Sequence, residues 1–271
     1  MHERVKKGAK LTTITVHGFK GGTGKSLIAI ALGYLLSKQG KKVLLIDGDY
    51  FAPCFDAFFP QNDDVNPFTE YLEEKSKFEE VVAETRFPNL WVSYAPTPSF
   101  TQKILQADTK THGGFLKRIY AGIKIARDDL GFDHIVIDNS SGISLAAINF
   151  LTCSNQSLLV IRPVRYGVES TYNLISAIYR KLRYADSKSV RRDFLVWNQV
   201  PTDEESIINP DIERYLNHWT DKFSEAGIQL GSRIPYISEV VTSMIVDSTL
   251  DIEKISKPIS NYMGNLIKLL G

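Results

Sequence analysis

The chain has 271 residues, of which 43% are hydrophobic and 23% charged, and this is enough apolar material to form the core of one α/β domain. Its 32 basic and 31 acidic residues give a formal net charge of +1, which excludes a global electrostatic attraction to nucleic acid or anionic lipid. The two cysteines, Cys54 and Cys153, form no CxxC motif, which argues against a disulfide framework or a metal cluster and favours a reducing, cytoplasmic setting.

Short apolar runs rich in β-branched residues alternate along the chain with amphipathic stretches of helical length. Such alternation predicts an α/β fold in which a mostly parallel, twisted sheet carries helices on both faces. We expect a single domain over residues 1–271, with a flexible start over residues 1–10. Strands are predicted at 12–16, 42–46, 90–94, 134–137, 157–161 and 193–197, and helices at 26–38, 114–130, 143–151, 169–184 and 210–226.

Residues 51–111 interrupt this alternation. Pro53, Pro60 and Pro67, together with a run of acidic residues, break the helical and strand periodicities, as proline lacks a backbone N–H and fixes its own φ angle. We predict an insertion or switch region here that mixes short helices with loops.

The segment HGFKGGTGKS follows the first predicted strand and leads directly into the first predicted helix. Glycines in such a loop let backbone N–H groups approach phosphate oxygens closely, and the helix N-terminus favours an anion. Lys25 is predicted to reach the β- and γ-phosphates and Ser26 to bind Mg²⁺. The alternative is a glycine-rich turn that only joins a strand to a helix. The predicted nucleotide contacts are Lys20, Gly21, Gly22, Thr23, Gly24, Lys25 and Ser26.

Phe19 stands where the general pattern GxxxxGK[ST] requires glycine, and the match is instead to the deviant form KGGTGKS, in which Lys20 precedes the double glycine. In this the chain resembles the ParA/MinD family of P-loop ATPases, whose members share KGGxGK[ST]. The resemblance implies that Lys20 reaches a partner subunit's nucleotide within an ATP-dependent homodimer. The alternative is a solvated loop lysine.

Three aspartates are predicted at the carboxyl ends of strands, where ligands of such sheets bind. Asp47 and Asp49 end the second strand, and two residues apart in an extended chain face the same way. The family has a D-x-D pair here, which implies that Asp47 contributes to the metal shell and that Asp49 orients the attacking water. Asp138 ends FDHIVID, a Walker B pattern whose carboxylate holds Mg²⁺, although Asn139, Ser140 and Ser141 fill places where the family usually has a proline. Polar turns are the alternative for all three.

Asn198 ends the strand predicted at 193–197, and no guanine-recognition motif follows it. Its amide can both donate and accept hydrogen bonds, as the edge of adenine requires, and the family resemblance implies an adenine contact. A strand-end turn asparagine is the alternative. Residues 233–237, which include Pro235, resemble the family's second base-side loop. ATP and Mg²⁺ are therefore the predicted cofactors.

Three functions remain open from the sequence. A ParA-like protein would bind DNA without sequence preference, and the cluster Arg180, Lys181, Arg183, Lys188, Arg191 and Arg192 offers a basic surface, or merely a solvated helix end. A MinD-like protein would dock on membrane through the amphipathic tail at 259–270, but its polar face holds a single lysine, so packing on the core is expected. A cluster carrier or a biosynthetic ligase is the third. We expect a ParA-like ATPase that positions DNA or cargo and needs an activating partner protein.

Overall fold

The computed structural model describes residues 11–60, 65–95, 98–185, 191–203, 205, 207–247 and 250–271; the predicted flexible start at 1–10 lies outside them. Within the described residues, eight strands form one sheet: β1 Thr12–His17, β2 Val43–Gly48, β3 Ala83–Glu84, β4 Leu90–Ser93, β5 His134–Asn139, β6 Gln156–Ile161, β7 Arg192–Val200 and β8 Ile228–Pro235. Their order is β3-β4-β2-β5-β1-β6-β7-β8. Every neighbouring pair is parallel except β3 with β4.

Helices cover both faces of this sheet, as the sequence predicts. They are α1 Lys25–Lys38, α2 Phe55–Phe58, α3 Phe68–Leu72, α4 Pro98–Gln106, α5 Thr109–Asp128, α6 Leu145–Cys153, α7 Arg165–Ala185, α8 Pro210–Glu225, α9 Ser238–Val246 and α10 Ile252–Leu270. One apolar cluster joins α1 and α10 to the sheet, whereas residues of α5 and α6, and of α7 and α8, join the opposite face. The strands are almost wholly buried and apolar because both of their faces are covered.

Several boundaries differ from the prediction for local reasons. Helix α5 begins at Thr109 rather than 114, because Asp108 caps it by accepting a hydrogen bond from the Thr111 N–H at 2.8 Å; Gly113 and Gly114 lie inside the helix. Strand β8 was not predicted. It contains Gly231, where an added Cβ would lie 2.8 Å from Leu266 Cδ1 of α10, so the glycine marks close helix packing.

Residues 51–111 are only partly irregular. They contain the short helices α2 and α3, a 3-10 turn at Glu79–Val81 and helix α4. These match the predicted mixture of short helices and loops. They also include β3 and β4, and β4 pairs with β2 in the main sheet. The segment therefore contributes two strands, β3 and β4, to one side of the main sheet.

Candidate functional site

The carboxyl ends of β1, β2 and β5 bring the phosphate loop (residues 18–26) next to the predicted acidic residues. In the sheet register Asp47 stands opposite Asp138, and Asp138 stands opposite Val16 of β1. Parallel strands end at a common edge, so the loop after β1 and both carboxylates share that edge. The structure thus assembles Lys20–Ser26, Asp47, Asp49 and Asp138 in one place.

Left-handed glycines shape the turn from β1 into α1. Gly22 has φ 72° and Gly24 has φ 86°, a region that residues with a Cβ rarely adopt. A Cβ on Gly24 would lie 2.3 Å from Asn198 Nδ2. Asn198 itself is buried and donates from Nδ2 to the Thr23 carbonyl at 2.8 Å. Asn198 therefore supports the phosphate loop from β7, and glycine at 24 leaves room for this contact.

The Lys25 side chain is folded into the site. It is 6% exposed, and Nζ donates a hydrogen bond to Ser141 Oγ at 2.8 Å. No carboxylate of the described residues lies within 4.0 Å of its ammonium group. A buried charge whose only partner is a neutral hydroxyl is poorly compensated, so the site favours an anion beside Lys25.

Asp138 presents the complementary problem. It is fully buried, and neither carboxylate oxygen makes a hydrogen bond of ordinary geometry with the described residues. Burial raises the pKa of Asp138 to about 8, the Ser26 hydroxyl opposes this shift, and the nearby Asp47 adds to it. A cation would restore the charged form. Mg²⁺ is commonly held by one or two carboxylates, a hydroxyl and phosphate oxygens, and Asp138 with Ser26 fits this donor set.

The carboxylates of Asp47, inside β2, and Asp49, just after β2, are both held by backbone N–H groups, which the sequence does not predict. Asp47 Oδ1 accepts from the Asp49 N–H at 3.2 Å, and Oδ2 accepts from the Cys54 and Phe55 N–H groups at 3.0 and 3.1 Å. Burial raises the pKa of Asp47 to about 6 while these N–H groups lower it. The strand ends at Gly48, and each carboxylate is held by a different set of backbone N–H groups. Asp49 Oδ1 instead accepts from the Phe51 and Ala52 N–H groups at 3.2 and 3.1 Å.

Exposed apolar side chains surround the phosphate loop. They follow β2, β5 and β6, which lie on either side of β1. We call the set Phe51, Ile143, Leu145 and Tyr166, with exposures of 42, 39, 41 and 78%, the apolar rim. Lys20 is exposed beside it, with Nζ 5.1 Å from the centroid of the Phe19 ring.

Pro235, the predicted base contact, lies at the end of β8. It lines a cavity of about 400 Å³ together with Thr202 and Tyr236. The phosphate loop lines a different cavity of about 140 Å³ that extends to Val164 and Thr171. The structure therefore brings Asn198 to the phosphate loop but places Pro235 in a neighbouring cavity.

The basic cluster considered for DNA is divided by the structure. Arg191 is buried and donates to Asp193 Oδ1 at 2.8 Å and to the Ser154 carbonyl at 2.8 Å, while Arg183 lies 3.5 Å from Asp193. Buried Arg191 neutralises this carboxylate and cannot form a DNA surface, so that part of the hypothesis is wrong, whereas 26% of the Arg183 side chain is exposed. Arg192 donates to the Leu269 carbonyl, Arg180 and Lys181 are exposed, and Lys188 lies outside the described residues.

The amphipathic tail packs on the core, as expected. Ile259, Met263, Leu266 and Leu270 of α10 are at most 2% exposed and join the cluster that contains α1. Only Tyr262 of the predicted apolar stripe is exposed, at 36%. Among the described helices none is long and apolar enough to cross a bilayer.

Comparison with known proteins agrees with this geometry. Residues 11–188 match the family model described as an AAA domain. The chain is 23% identical to the antiactivator FleN of Pseudomonas aeruginosa over 84% of this chain and 74% of FleN. It is 26% identical to the sporulation initiation inhibitor Soj of Bacillus subtilis over 61% of this chain and 64% of Soj. The chain belongs to the ParA/MinD family of P-loop ATPases.

Solved structures of this family share the fold. MinD of Pyrococcus horikoshii, solved with Mg-ADP, superposes with a TM-score of 0.69 at 20% identity, covering 96% of this chain and 95% of that one. An ATP complex of a variant of McdA from Cyanothece gives a TM-score of 0.76 at 17% identity, covering 97% of each chain. At these identities the likeness concerns the fold alone.

Ser141 is the contact residue that the sequence pattern did not single out as a site residue. It fills a place where the family usually has a proline. Its position three residues after the Walker B aspartate is the sequence signal that could have drawn attention to it. In the structure it is the hydrogen-bond partner of Lys25.

Proposed function

We propose that this chain is a cytoplasmic ATPase that binds Mg-ATP at the phosphate loop and associates with a second copy of itself in an ATP-dependent manner to position or partition DNA or a large cargo. Hydrolysis is slow until a partner protein completes the site. The names of relatives support this role: one is a chromosome-partitioning ATPase Soj from Treponema pallidum, and a structural neighbour is a putative plasmid partition protein from Borrelia burgdorferi bound to AMPPNP.

One observation carries the binding part of the proposal. Lys25 is a buried ammonium without an ionic partner, and Asp138 is a buried carboxylate without a hydrogen bond of ordinary geometry, among the described residues. Lys25 lies close enough to lower the pKa of Asp138. A magnesium polyphosphate supplies an anion for the lysine and a cation for the aspartate, so one ligand compensates both costs.

The residues of the chain then have distinct roles. Backbone N–H groups of Gly21–Gly24 and the N-terminus of α1 would face the phosphates, Lys25 would neutralise their oxygens, and Ser26 with Asp138 would hold the metal. Mg²⁺ supplies charge neutralisation of the phosphate oxygens during transfer. Asp49 is proposed to orient the attacking water, and Asp47 to support the metal shell.

The dimer part of the proposal rests on the apolar rim. Four exposed apolar side chains beside a nucleotide site form a patch of the kind that marks an interaction surface. Lys20 stands among them with an ammonium group that makes no ion pair in the described structure. Proposed contact of Lys20 with the partner's nucleotide would link hydrolysis to association.

Nucleotide titration tests the binding site. Lys25→Ala is expected to weaken Mg-ATP binding by roughly 100-fold or more, because a charge-assisted contact to phosphate is lost. Lys38→Ala removes the same charge at the other end of α1, where the lysine is exposed beside Glu253, and is expected to bind as the wild type does. Equal affinity in Lys25→Ala and wild type would contradict the phosphate-loop assignment.

The alternatives receive less support. The α10 side chains that a membrane anchor would expose are buried. In the part of the chain that the structure describes, no three His, Cys, Asp or Glu side chains are grouped to hold a metal, which disfavours a cluster carrier. A ligase would need a second substrate site, and no contact of the described residues identifies one.

A further inference from the structure

The loop between β5 and α6 is attached to the phosphate loop by three hydrogen bonds. The Gly142 N–H donates to the Gly18 carbonyl at 3.1 Å, with Gly142 in the left-handed region at φ 86°. Ser141 Oγ accepts from Lys25 Nζ at 2.8 Å and lies 3.5 Å from the Lys20 carbonyl, to which it can donate. One hydroxyl thus bridges the first and last parts of the KGGTGK segment.

The bridge engages the ammonium group that a bound phosphate would need. A phosphate bound in this loop must lie between the backbone that begins at Lys20 and the ammonium of Lys25. The hydroxyl oxygen of Ser141 already accepts a charge-assisted hydrogen bond from that ammonium, as a phosphate oxygen would. The ammonium has three N–H donors, but its bond to Ser141 holds the Lys25 side chain toward the β5–α6 loop, so hydroxyl and phosphate compete for the position of this group.

We propose that Ser141 is a positioning residue that competes with nucleotide phosphate for Lys25 and thereby weakens nucleotide affinity. This inference rests on the proposed function and adds a specific contact to it. When a phosphate takes over Lys25, the β5–α6 loop is held to the phosphate loop by the Gly142 contact and the longer contact from Ser141 to the Lys20 carbonyl alone. That loop carries Ile143 and ends at Leu145, two members of the apolar rim.

A side-chain series at position 141 tests the competition. Ser141→Ala removes the competing acceptor and is expected to bind Mg-ADP and Mg-AMPPNP more tightly than wild type by about tenfold or more, the worth of one hydrogen bond to a charged group. Ser141→Thr keeps the hydroxyl and is expected to restore wild-type affinity. Ser141→Asp places a carboxylate next to Lys25 and is expected to weaken binding at least tenfold.

Ser140→Ala is the matched control. Ser140 is the preceding residue, is 2% exposed, and its hydroxyl has no hydrogen-bond partner among the described groups. Its removal is expected to leave nucleotide affinity unchanged. A general loosening of the loop would change affinity in both alanine variants, whereas competition changes it only at position 141.

Isothermal titration of the full chain separates the outcomes. Tighter binding in Ser141→Ala, together with weaker binding in Ser141→Asp, supports the inference. If the wild type binds nucleotide and Ser141→Ala binds it with equal or lower affinity, the inference is wrong but the proposed function still stands. Absence of nucleotide binding in the wild type overturns both. If Ser141→Ala does not fold, wild-type affinity in Ser141→Asp overturns the competition, since an acidic side chain must engage Lys25 if the hydroxyl does.

Discussion

At the scale of single residues, the acidic side chains of the site differ in what already satisfies them. Asp47 receives three backbone N–H groups, and Asp49 receives two. Asp138 receives none of ordinary geometry within the described chain. Carboxylates saturated by backbone donors organise a loop, whereas an unsatisfied one is available to a ligand. These contacts favour Asp138 over Asp47 as the direct metal ligand.

Asparagine substitutions should separate these two roles. Asp138→Asn is expected to raise the melting temperature without nucleotide, because burial raises the pKa of Asp138 and folding near neutral pH must therefore protonate it, a cost that the amide avoids, and to lose Mg²⁺-dependent nucleotide binding. Asp47→Asn is expected to lower the free energy of unfolding by about 1–3 kcal/mol, because an amide has one acceptor oxygen where the carboxylate uses two. Thermal unfolding with and without Mg-ADP measures both effects. A lower melting temperature in Asp138→Asn would contradict this division.

The sequence predicts which residues gather at the site but not their hydrogen bonds. Lys25, Ser26 and Asp138 are placed by a motif and a strand end, both of which are local patterns. The Lys25–Ser141 contact joins residues 116 positions apart, and no local pattern encodes such a pair. The same holds for Asn198, whose Nδ2 binds the Thr23 carbonyl, so that its predicted contact with adenine remains a proposal.

At the scale of secondary structure, α10 has its predicted role but extends further than predicted. The predicted tail begins at residue 259, but the helix begins at Ile252 and includes Pro258. Proline normally indicates a helix boundary, which explains why the first turns were not predicted. Asp251 caps the helix by accepting from the Glu253 N–H at 2.9 Å.

Truncation of a buried side chain tests whether α10 belongs to the core. Met263→Ala is expected to lower the free energy of unfolding by about 2–5 kcal/mol, the usual cost of emptying a packed position. Asn261→Ala, at an exposed position of the same helix, is expected to change it by less than about 0.5 kcal/mol. Chemical denaturation measures both. If Met263→Ala left stability unchanged but abolished binding to anionic liposomes, α10 would be a membrane anchor after all.

The strands were predicted more reliably than the connections. Six buried apolar runs appear as β1, β2, β4, β5, β6 and β7, because strands covered on both faces have a continuous apolar pattern. Strand β8 escaped prediction because Gly231 and Pro235 weaken its pattern. Helix α7 begins at Arg165, four residues before the predicted start, since Gly167 within its first turn resembles a loop residue.

At the scale of the whole molecule, the apolar rim and Lys20 share one edge of the sheet, and association there should depend on nucleotide. The wild type with Mg²⁺ and AMPPNP is expected to sediment as a dimer and with ADP as a monomer. Leu145→Asp is expected to remain monomeric, because a charge replaces an apolar side chain of the rim. It is expected still to fold and bind nucleotide, because an acidic residue is favourable at the start of a helix. Lys20→Ala is expected to bind nucleotide and to lose ATP-dependent association.

Leu105→Asp is the control for this experiment. Leu105 lies on α4, is 68% exposed and is not part of the rim, so its variant should dimerise as the wild type does. A dimer of unchanged stability in Leu145→Asp would exclude the rim as the interface. Plasmid DNA or liposomes added to the same samples would show which surface the dimer binds.

The position of β1 at the middle of the sheet also governs how the chain reaches its native state. Both neighbours of β1 come late in the sequence: Thr12 pairs with His134, and the Thr13 N–H donates to Asn155, 142 residues away. Contacts between such distant segments slow folding, because a long loop must close before they form. During synthesis, β1 and the glycine loop after it have no strand to pair with until β5 and β6 have been synthesised. The phosphate loop is therefore expected to be among the last parts of the protein to fold, although it lies near the start of the chain.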